Sequence, residues 1–260
     1  MTPKKSGFAP VNGLQMYYEI YGNGNPLILI HGGGSTIQSN WALMIPFLSR
    51  TREVIAVEMQ AHGRTADINR DFTFEQDADD IAALMKHLKI PMADIFGFSN
   101  GGQTTLQVAI RHPALARRIV VASAGFSRDG FQPWFWPAMN SPKVENMPPK
   151  LKEAFFKVNP DNDAFLKMFW RDANRMIAFQ GWSSDMIRSI KSPALVMAGD
   201  RDVVTVEHAT EIYHLIQGSR LAIFPSGHGD YLGESSTGNT DANLHETVAN
   251  IVLAFLDERS

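Results

Sequence analysis

The five residues Gly97-Phe98-Ser99-Asn100-Gly101 constrain this chain more than any other stretch. They read G-x-S-x-G, and their neighbours give the pattern its weight. Before them runs Ala93-Asp94-Ile95-Phe96, short and apolar enough for a buried strand. After them, Gly102 to His112 reads as a helix stopped by Pro113. A serine on a tight strand-to-helix turn is held in a strained backbone with its hydroxyl raised above the sheet. The flanking glycines leave room where a Cβ would strike the adjoining strand and helix. The first helical amides point at whatever the serine attacks, which suits an oxyanion. The context predicts a nucleophile elbow at Ser99.

At 260 residues the chain can form one large α/β core, with or without an insertion. Hydrophobic content of 44% and charged content of 20% are those of an ordinary globular protein. A net charge of −3 gives no reason to expect nucleic acid or a membrane as partner. There is no cysteine, which excludes disulfides, thiolate metal sites and cysteine nucleophiles. Met1 to Ser6 carries charge but leads into no apolar stretch, so a signal peptide is not expected. The apolar runs are shorter than a membrane span, and a cytoplasmic protein is the expectation.

Asn12-Gly13 between two alternating stretches predicts a hairpin over Phe8 to Tyr21. Pro26–Ile30, Glu53–Val57, Ala93–Phe96, Arg118–Ala122, Pro193–Ala198 and Arg220–Phe224 read as strands. Helical spacing marks Trp41–Leu48, Phe74–Leu88, Gly102–His112, Val206–Ile216 and Leu244–Leu256. This alternation predicts an α/β fold with a doubly wound, mostly parallel sheet. Between 126 and 191 the rhythm breaks: there is no convincing strand, but many aromatics and several prolines. That segment is expected to be a helical cap inserted into a core made of residues 1–125 and 192–260.

A serine needs a base, and the base needs a carboxylate to orient it. Of eight histidines, His228 in Ser226-Gly227-His228-Gly229-Asp230 lies just past the last strand and follows the serine in the order the scaffold requires. His87, His112, His208, His214 and His245 fall on or beside helices and read as surface residues, and His31 and His62 as turn-shaping residues beside the site. In Gly199-Asp200-Arg201-Asp202 two acids compete, and Asp202, beyond the turn itself, is favoured. Glu58 reads as structural. For the oxyanion hole, the backbone amide of Asn100 is one donor, and Gly33, with Gly34 close behind, is the other. The glycine-rich run lacks the pattern of a nucleotide loop.

With these residues in view, His31-Gly32-Gly33-Gly34, Ala61-His62-Gly63-Arg64, Gly97 to Gly102, Gly199 to Asp202 and Gly227-His228 resemble the ordered motifs of the α/β-hydrolase superfamily. The chain is most similar to small serine hydrolases with a helical cap: carboxylesterases, enol-lactonases, carbon–carbon bond hydrolases and cofactor-free perhydrolases. The resemblance spans nearly everything but the cap and implies a catalytic triad of Ser99, Asp202 and His228. Three departures stand out. Glu58 occupies a position where many relatives have aspartate, Ala61 replaces a common glycine, and Gly229 to Ala242 forms a long polar stretch whose composition suggests a mobile loop.

The expected activity is hydrolysis of a small, fairly apolar carboxylic ester or lactone, with no cofactor and no metal. The partner is then a small-molecule substrate. Carbon–carbon bond hydrolysis of an aromatic-degradation product is the rival within enzymes, and a triad-retaining small-molecule receptor is the rival outside them. The oligomeric state is open, and a homo-oligomer is compatible with the sequence. Most of the aromatics and Met139, Met147, Met168, Met176 and Met186 of the insertion are expected to pack its core, with the remainder lining an apolar pocket.

Overall fold

The short apolar runs become strands of one eight-stranded sheet in a computed structural model, which describes residues 1–258. β1 (Lys5–Val11) and β2 (Leu14–Tyr21) form a hairpin about Asn12-Gly13, both in left-handed backbone, as a primed turn requires. β2 runs antiparallel to β4 (Arg52–Val57). From β4 onward the neighbours are parallel: β3 (Asn25–Ile30), β5 (Ala93–Phe98), β6 (Ala116–Ala122), β7 (Ala194–Arg201) and β8 (Arg220–Gly227). The spatial order is β1-β2-β4-β3-β5-β6-β7-β8.

Parallel strands are covered on both faces, so they read as unbroken apolar runs. The two-residue period still sorts their side chains. In β3, Ile28 and Ile30 pack with α3 (Phe74–His87), α4 (Asn100–Arg111) and α9 (Val206–Leu215). Leu27 and Leu29 face the other way, toward α1 (Ile37–Trp41), α2 (Ile45–Leu48) and α10 (Ala242–Leu256). Each such side chain, fully buried, stabilises the fold by about 2 kcal/mol relative to exposure. Trp41 to Leu48, predicted as one helix, is two short ones, the second beginning with Pro46 near its start. No helix among the described residues is long and apolar enough to cross a membrane.

Between β6 and β7 lie four α-helices: α5 (Phe135–Met139), α6 (Pro149–Val158), α7 (Asn162–Ala178) and α8 (Ser184–Arg188). This segment builds two small apolar clusters of its own against the core. Phe131, Met176 and Phe179 meet Phe74 and Val204 in one. Phe155, Phe165 and Met168 meet Ala61 in the other.

The chain leaves β3 toward β4 on one side and later returns to β5 on the other. That reversal opens a crevice between the ends of β3 and β5, the place where parallel sheets bind ligands. At the end of β5 the chain turns through Ser99, whose φ of 53° and ψ of −121° are strained for any residue with a side chain. A Cβ on Gly97 would lie 2.0 Å from the Gly101 carbonyl oxygen, and one on Gly101 would lie 2.2 Å from that of Ile30. Only glycine fits at either position, so the elbow is dictated by sterics.

Candidate active site

The serine, the histidine, the acid and Ser123 each stand at the carboxyl end of a strand. Ser99 follows β5, Ser123 follows β6, Asp202 follows β7 and His228 follows β8. The sheet thus converges residues that are far apart in sequence. His228 Nε2 lies 3.1 Å from Ser99 Oγ, and His228 Nδ1 lies 2.6 Å from Asp202 Oδ1. With Nδ1–H donated to Asp202, Nε2 holds its lone pair toward the serine hydroxyl. Phe98 packs against the imidazole at 4.8 Å between ring centroids.

Asp202 is buried and its carboxylate is fully engaged. Oδ1 also accepts from the Val203 amide at 2.7 Å. Oδ2 accepts from the Gly199 amide at 3.1 Å and from the Ser123 hydroxyl. Burial alone would raise the pKa of this acid, but His228 and these donors outweigh it and hold it below the usual carboxylate range. Conversely, burial pushes the His228 imidazole down, and the adjacent Asp202 charge brings it above the ordinary histidine value. Asp200 is exposed, next to last in β7. The structure therefore brings Ser99, His228 and Asp202 into one hydrogen-bonded chain and leaves Asp200 outside it.

The loop after β3 is held from three directions. Gly32 donates its amide to Asn40 Oδ1 at 2.7 Å. Neutral His31, its pKa pushed down to about 3 by burial and by the nearby His62, accepts from the Met59 amide at 3.1 Å. Gly34 donates its amide to Asp172 Oδ2 at 2.7 Å. Among the described residues the amides of Gly33 and Asn100 have no acceptor. Both glycines and Asn100 line the same cavity as Ser99.

Asp172 comes from α7 and was not foreseen. Besides Gly34, its Oδ2 accepts from His62 Nε2 at 2.8 Å, while Oδ1 accepts from Arg175 at 2.7 Å. Arg175 also donates to Asp77 of α3 at 2.6 Å. Burial would neutralise Asp172, but the His62 and Arg175 charges keep it ionised, well below the usual carboxylate range. His62 is correspondingly raised, burial being outweighed by Asp172. A signal did exist in the sequence. Phe165, Met168, Phe169, Asp172, Arg175 and Met176 share one helical stripe, and charges on an otherwise apolar stripe announce a buried ion pair. Ser123 left no signal beyond its place after a strand.

Over Ser99 lies a cavity of about 390 Å³. Its lining is mostly apolar, from Phe131, Phe135, Phe169, Leu151 and Val203, together with Met139, Met147, Met168 and Met176. Four of the five methionines expected chiefly to pack the insertion thus face this space, Met186 being the exception. Methionine is flexible enough to fill a core gap and line a pocket at once. His208 and His245 are buried rather than on the surface. His208 stacks on Phe126 and accepts its amide at 3.1 Å. The stretch 229–242 is not a free loop: Tyr231, Leu232 and Glu234 are buried, and none of its residues lines the cavity. Tyr231 reaches Ser123 Oγ at 2.7 Å, and the Ser235 amide donates to the Ser39 carbonyl at 2.8 Å. Glu58 is buried and accepts from the Arg64 amide and guanidinium, closing the turn after β4. Among the described residues no group of three or more His, Asp or Glu side chains is arranged to hold a metal ion.

Known proteins share this fold. The family profile described as the alpha/beta hydrolase fold matches residues 25–152. A 2-hydroxy-6-oxo-2,4-heptadienoate hydrolase of Pseudomonas putida is 30% identical over 238 residues, covering 82% of this chain and 85% of that protein. Among solved structures, a serine hydrolase involved in carbazole degradation superposes with a TM-score of 0.79 at 26% identity, covering 98% of this chain and 99% of the other. The enol-lactonase of Burkholderia xenovorans has the same fold, with a TM-score of 0.77 at 23% identity over 96% of this chain and all 100% of the other. The chain belongs to the α/β-hydrolase fold family.

Proposed function

We propose that this protein is a serine hydrolase that cleaves a small, uncharged, fairly apolar carboxylic ester or lactone through an acyl-enzyme on Ser99. The observation that carries this reading is the chain of hydrogen bonds from Ser99 through His228 to Asp202, opening on an apolar cavity beside two unpaired amides. His228 Nε2 takes the Ser99 proton as Oγ attacks the carbonyl carbon. The amides of Gly33 and Asn100 hold the oxyanion, and each such donor accounts for about 3 kcal/mol of barrier lowering. His228 returns the proton to the leaving oxygen, and the carbonyl re-forms as the ester bond breaks. Water then gives a proton to His228, attacks the acyl carbon, and the acid departs as Ser99 regains its hydrogen. Residues 126–191 serve as the cap that closes the cavity from above.

Carbon–carbon bond hydrolysis is the second reading, favoured by the names of relatives such as the heptadienoate hydrolase. The substrates so named are carboxylates. Here the charged residues lining the cavity are Asp172, which repels an anion, and Lys143, which is exposed. The Arg175 guanidinium is already shared between Asp77 and Asp172. This balance supports a neutral substrate.

The test is intact-mass labelling with a small fluorophosphonate on the wild type and Ser99→Ala, followed by a panel of neutral esters, lactones and vinylogous diketones. A single adduct absent from the variant, with turnover of neutral esters or lactones, is expected. Adduct formation with turnover of diketone acids alone would transfer the assignment to carbon–carbon hydrolysis. No adduct would remove the hydrolase reading and leave the receptor.

A further inference from the structure

Two buried hydroxyls stand behind the acid of the triad, each where a residue without one is the simpler choice. Ser123, after β6, has a φ of 53°, in the left-handed region that glycine adopts freely and that strains a serine. Tyr231 lies on one 3₁₀ turn, Asp230–Leu232, wholly buried and with its ring stacked on Phe224 at 4.9 Å between centroids. Phenylalanine would stack equally well there without a phenol to desolvate. Both positions therefore carry a hydroxyl at a cost to the fold, and the two hydroxyls meet each other at 2.7 Å.

The acid fixes the order of their protons. Asp202 is ionised and can only accept, so its bond with Ser123 Oγ uses the serine hydrogen. Serine has no second hydrogen, so Tyr231 donates to Ser123 Oγ. Burial and the Asp202 charge hold the phenol well above its ordinary pKa, and it keeps that proton. Donation runs one way, from phenol to serine to carboxylate, and each donor polarises the next. Oδ2 receives the end of this chain and the Gly199 amide, while Oδ1 receives His228 and the Val203 amide. Donors on both oxygens fix the carboxylate plane, and with it the direction of Oδ1 toward the imidazole. Tyr231 does not line the cavity, so it reaches the reaction only through Ser123 and Asp202.

We propose that Tyr231 and Ser123 are positioning residues, a one-way hydroxyl relay that holds Asp202 in the orientation His228 needs to take the Ser99 proton. The polar stretch that follows His228 thereby has a part in the chemistry, because it carries Tyr231 to the acid. This rests on Ser99 acting as the nucleophile.

The experiment is a double-mutant cycle of Tyr231→Phe and Ser123→Gly. It is read as the rate of fluorophosphonate labelling of Ser99, and as kcat and KM for p-nitrophenyl butyrate. Glycine relieves the strain at position 123 and the double variant leaves neither hydroxyl to be paired, so it is expected to fold. Tyr231→Phe alone should lower kcat and the labelling rate about fivefold, the worth of one net hydrogen bond, with KM unchanged. In the Ser123→Gly background the same change should alter neither rate, because the link to Asp202 is already gone. His228 also faces Asp230 and Glu234 from the stretch that follows it, and these groups are the same in every variant. Losing the relay leaves more of the Asp202 charge facing the imidazole, so the inflection of kcat/KM should move to higher pH. Equal losses from Tyr231→Phe in both backgrounds overturn the proposal. So does a lower Tm with rates and inflection unmoved, because the phenol would then be serving the fold. An NMR titration of the His228 ring reads the relay without turnover. An upward shift there in Tyr231→Phe supports the relay even where the wild type neither labels nor hydrolyses, an outcome that would count against the hydrolase reading alone. An unmoved titration counts against the relay.

Discussion

His228 stands between two opposed influences, and the balance is measurable. Burial disfavours the imidazolium, while the Asp202 carboxylate 2.6 Å away favours it, and the net pKa lies above the ordinary 6.5. Only the neutral ring can accept the Ser99 proton. Ester hydrolysis, read as kcat/KM, should therefore fall as pH drops through a value above 6.5 and level off on the alkaline side. In Asp202→Asn the raising charge is gone and burial remains, so the inflection should move to lower pH. The rate should also fall by about 10⁴, because the imidazole loses its preferred tautomer. Asp200→Asn should keep the wild-type profile, since that side chain is exposed. The reverse ranking would make Asp200 the acid, and an inflection unmoved in Asp202→Asn would mean that another group titrates. The competition between the two acids was legible from the chain because both lie at one strand end. The competition between Gly33 and Gly34 was not. It turns on Asp172, 138 residues away, which occupies the Gly34 amide and leaves that of Gly33 free.

At the scale of elements, α7 is the piece whose sequence carried more than periodicity reveals. Its apolar stripe predicts a packed helix, but Asp172 and Arg175 on that stripe bind it to the loops after β3 and β4 and to α3. The clasp makes a signature in stability against pH. Asp172 is depressed below its unfolded value of 3.8, so its contribution is present above that pH and is lost as pH falls through the folded value. His62 is raised above 6.5, so its contribution is present below that pH and is lost as pH rises through the folded value. The pair is strongest between 3.8 and 6.5. Asp77, raised to about 6 by burial against the pull of Arg175, titrates in wild type and variant alike and cancels to first order. Asp172→Asn should lower Tm by roughly 5–10 °C inside this window, as breaking a buried pair costs about 3 kcal/mol. Thermal scans should show the gap narrowing on both the acid and the alkaline side. A gap constant with pH would mean that shape, not charge, makes the contact.

For the whole molecule, the reading of a doubly wound sheet succeeded because both of its faces are covered. Each parallel strand then has to be a short apolar run, and each helix an amphipathic one. Strand ends were less legible. β7 continues through Gly199-Asp200-Arg201 and β8 through Ser226-Gly227, polar residues that backbone pairing alone keeps extended. The same division between core and insertion sets how stability is distributed. Two large apolar clusters flank the sheet, each drawing on four or more of its strands. The segment between β6 and β7 rests on the two small clusters and on the clasp of α7, and α5 has no buried residue at all. Local opening needs less free energy where fewer apolar contacts must be broken. Amide exchange should therefore be slowest in β3, β5 and β6, intermediate in α7, and fastest in α5 and the stretch 140–147. A covalent fluorophosphonate adduct on Ser99 should slow exchange in α5, because Phe135, Ala138 and Met139 line the cavity it would fill. The decisive comparison is hydrogen–deuterium exchange of free and labelled protein. Equal protection of α5 and β5 in the free protein would mean that the helical segment opens only with the core, and that substrate reaches Ser99 through a fixed mouth.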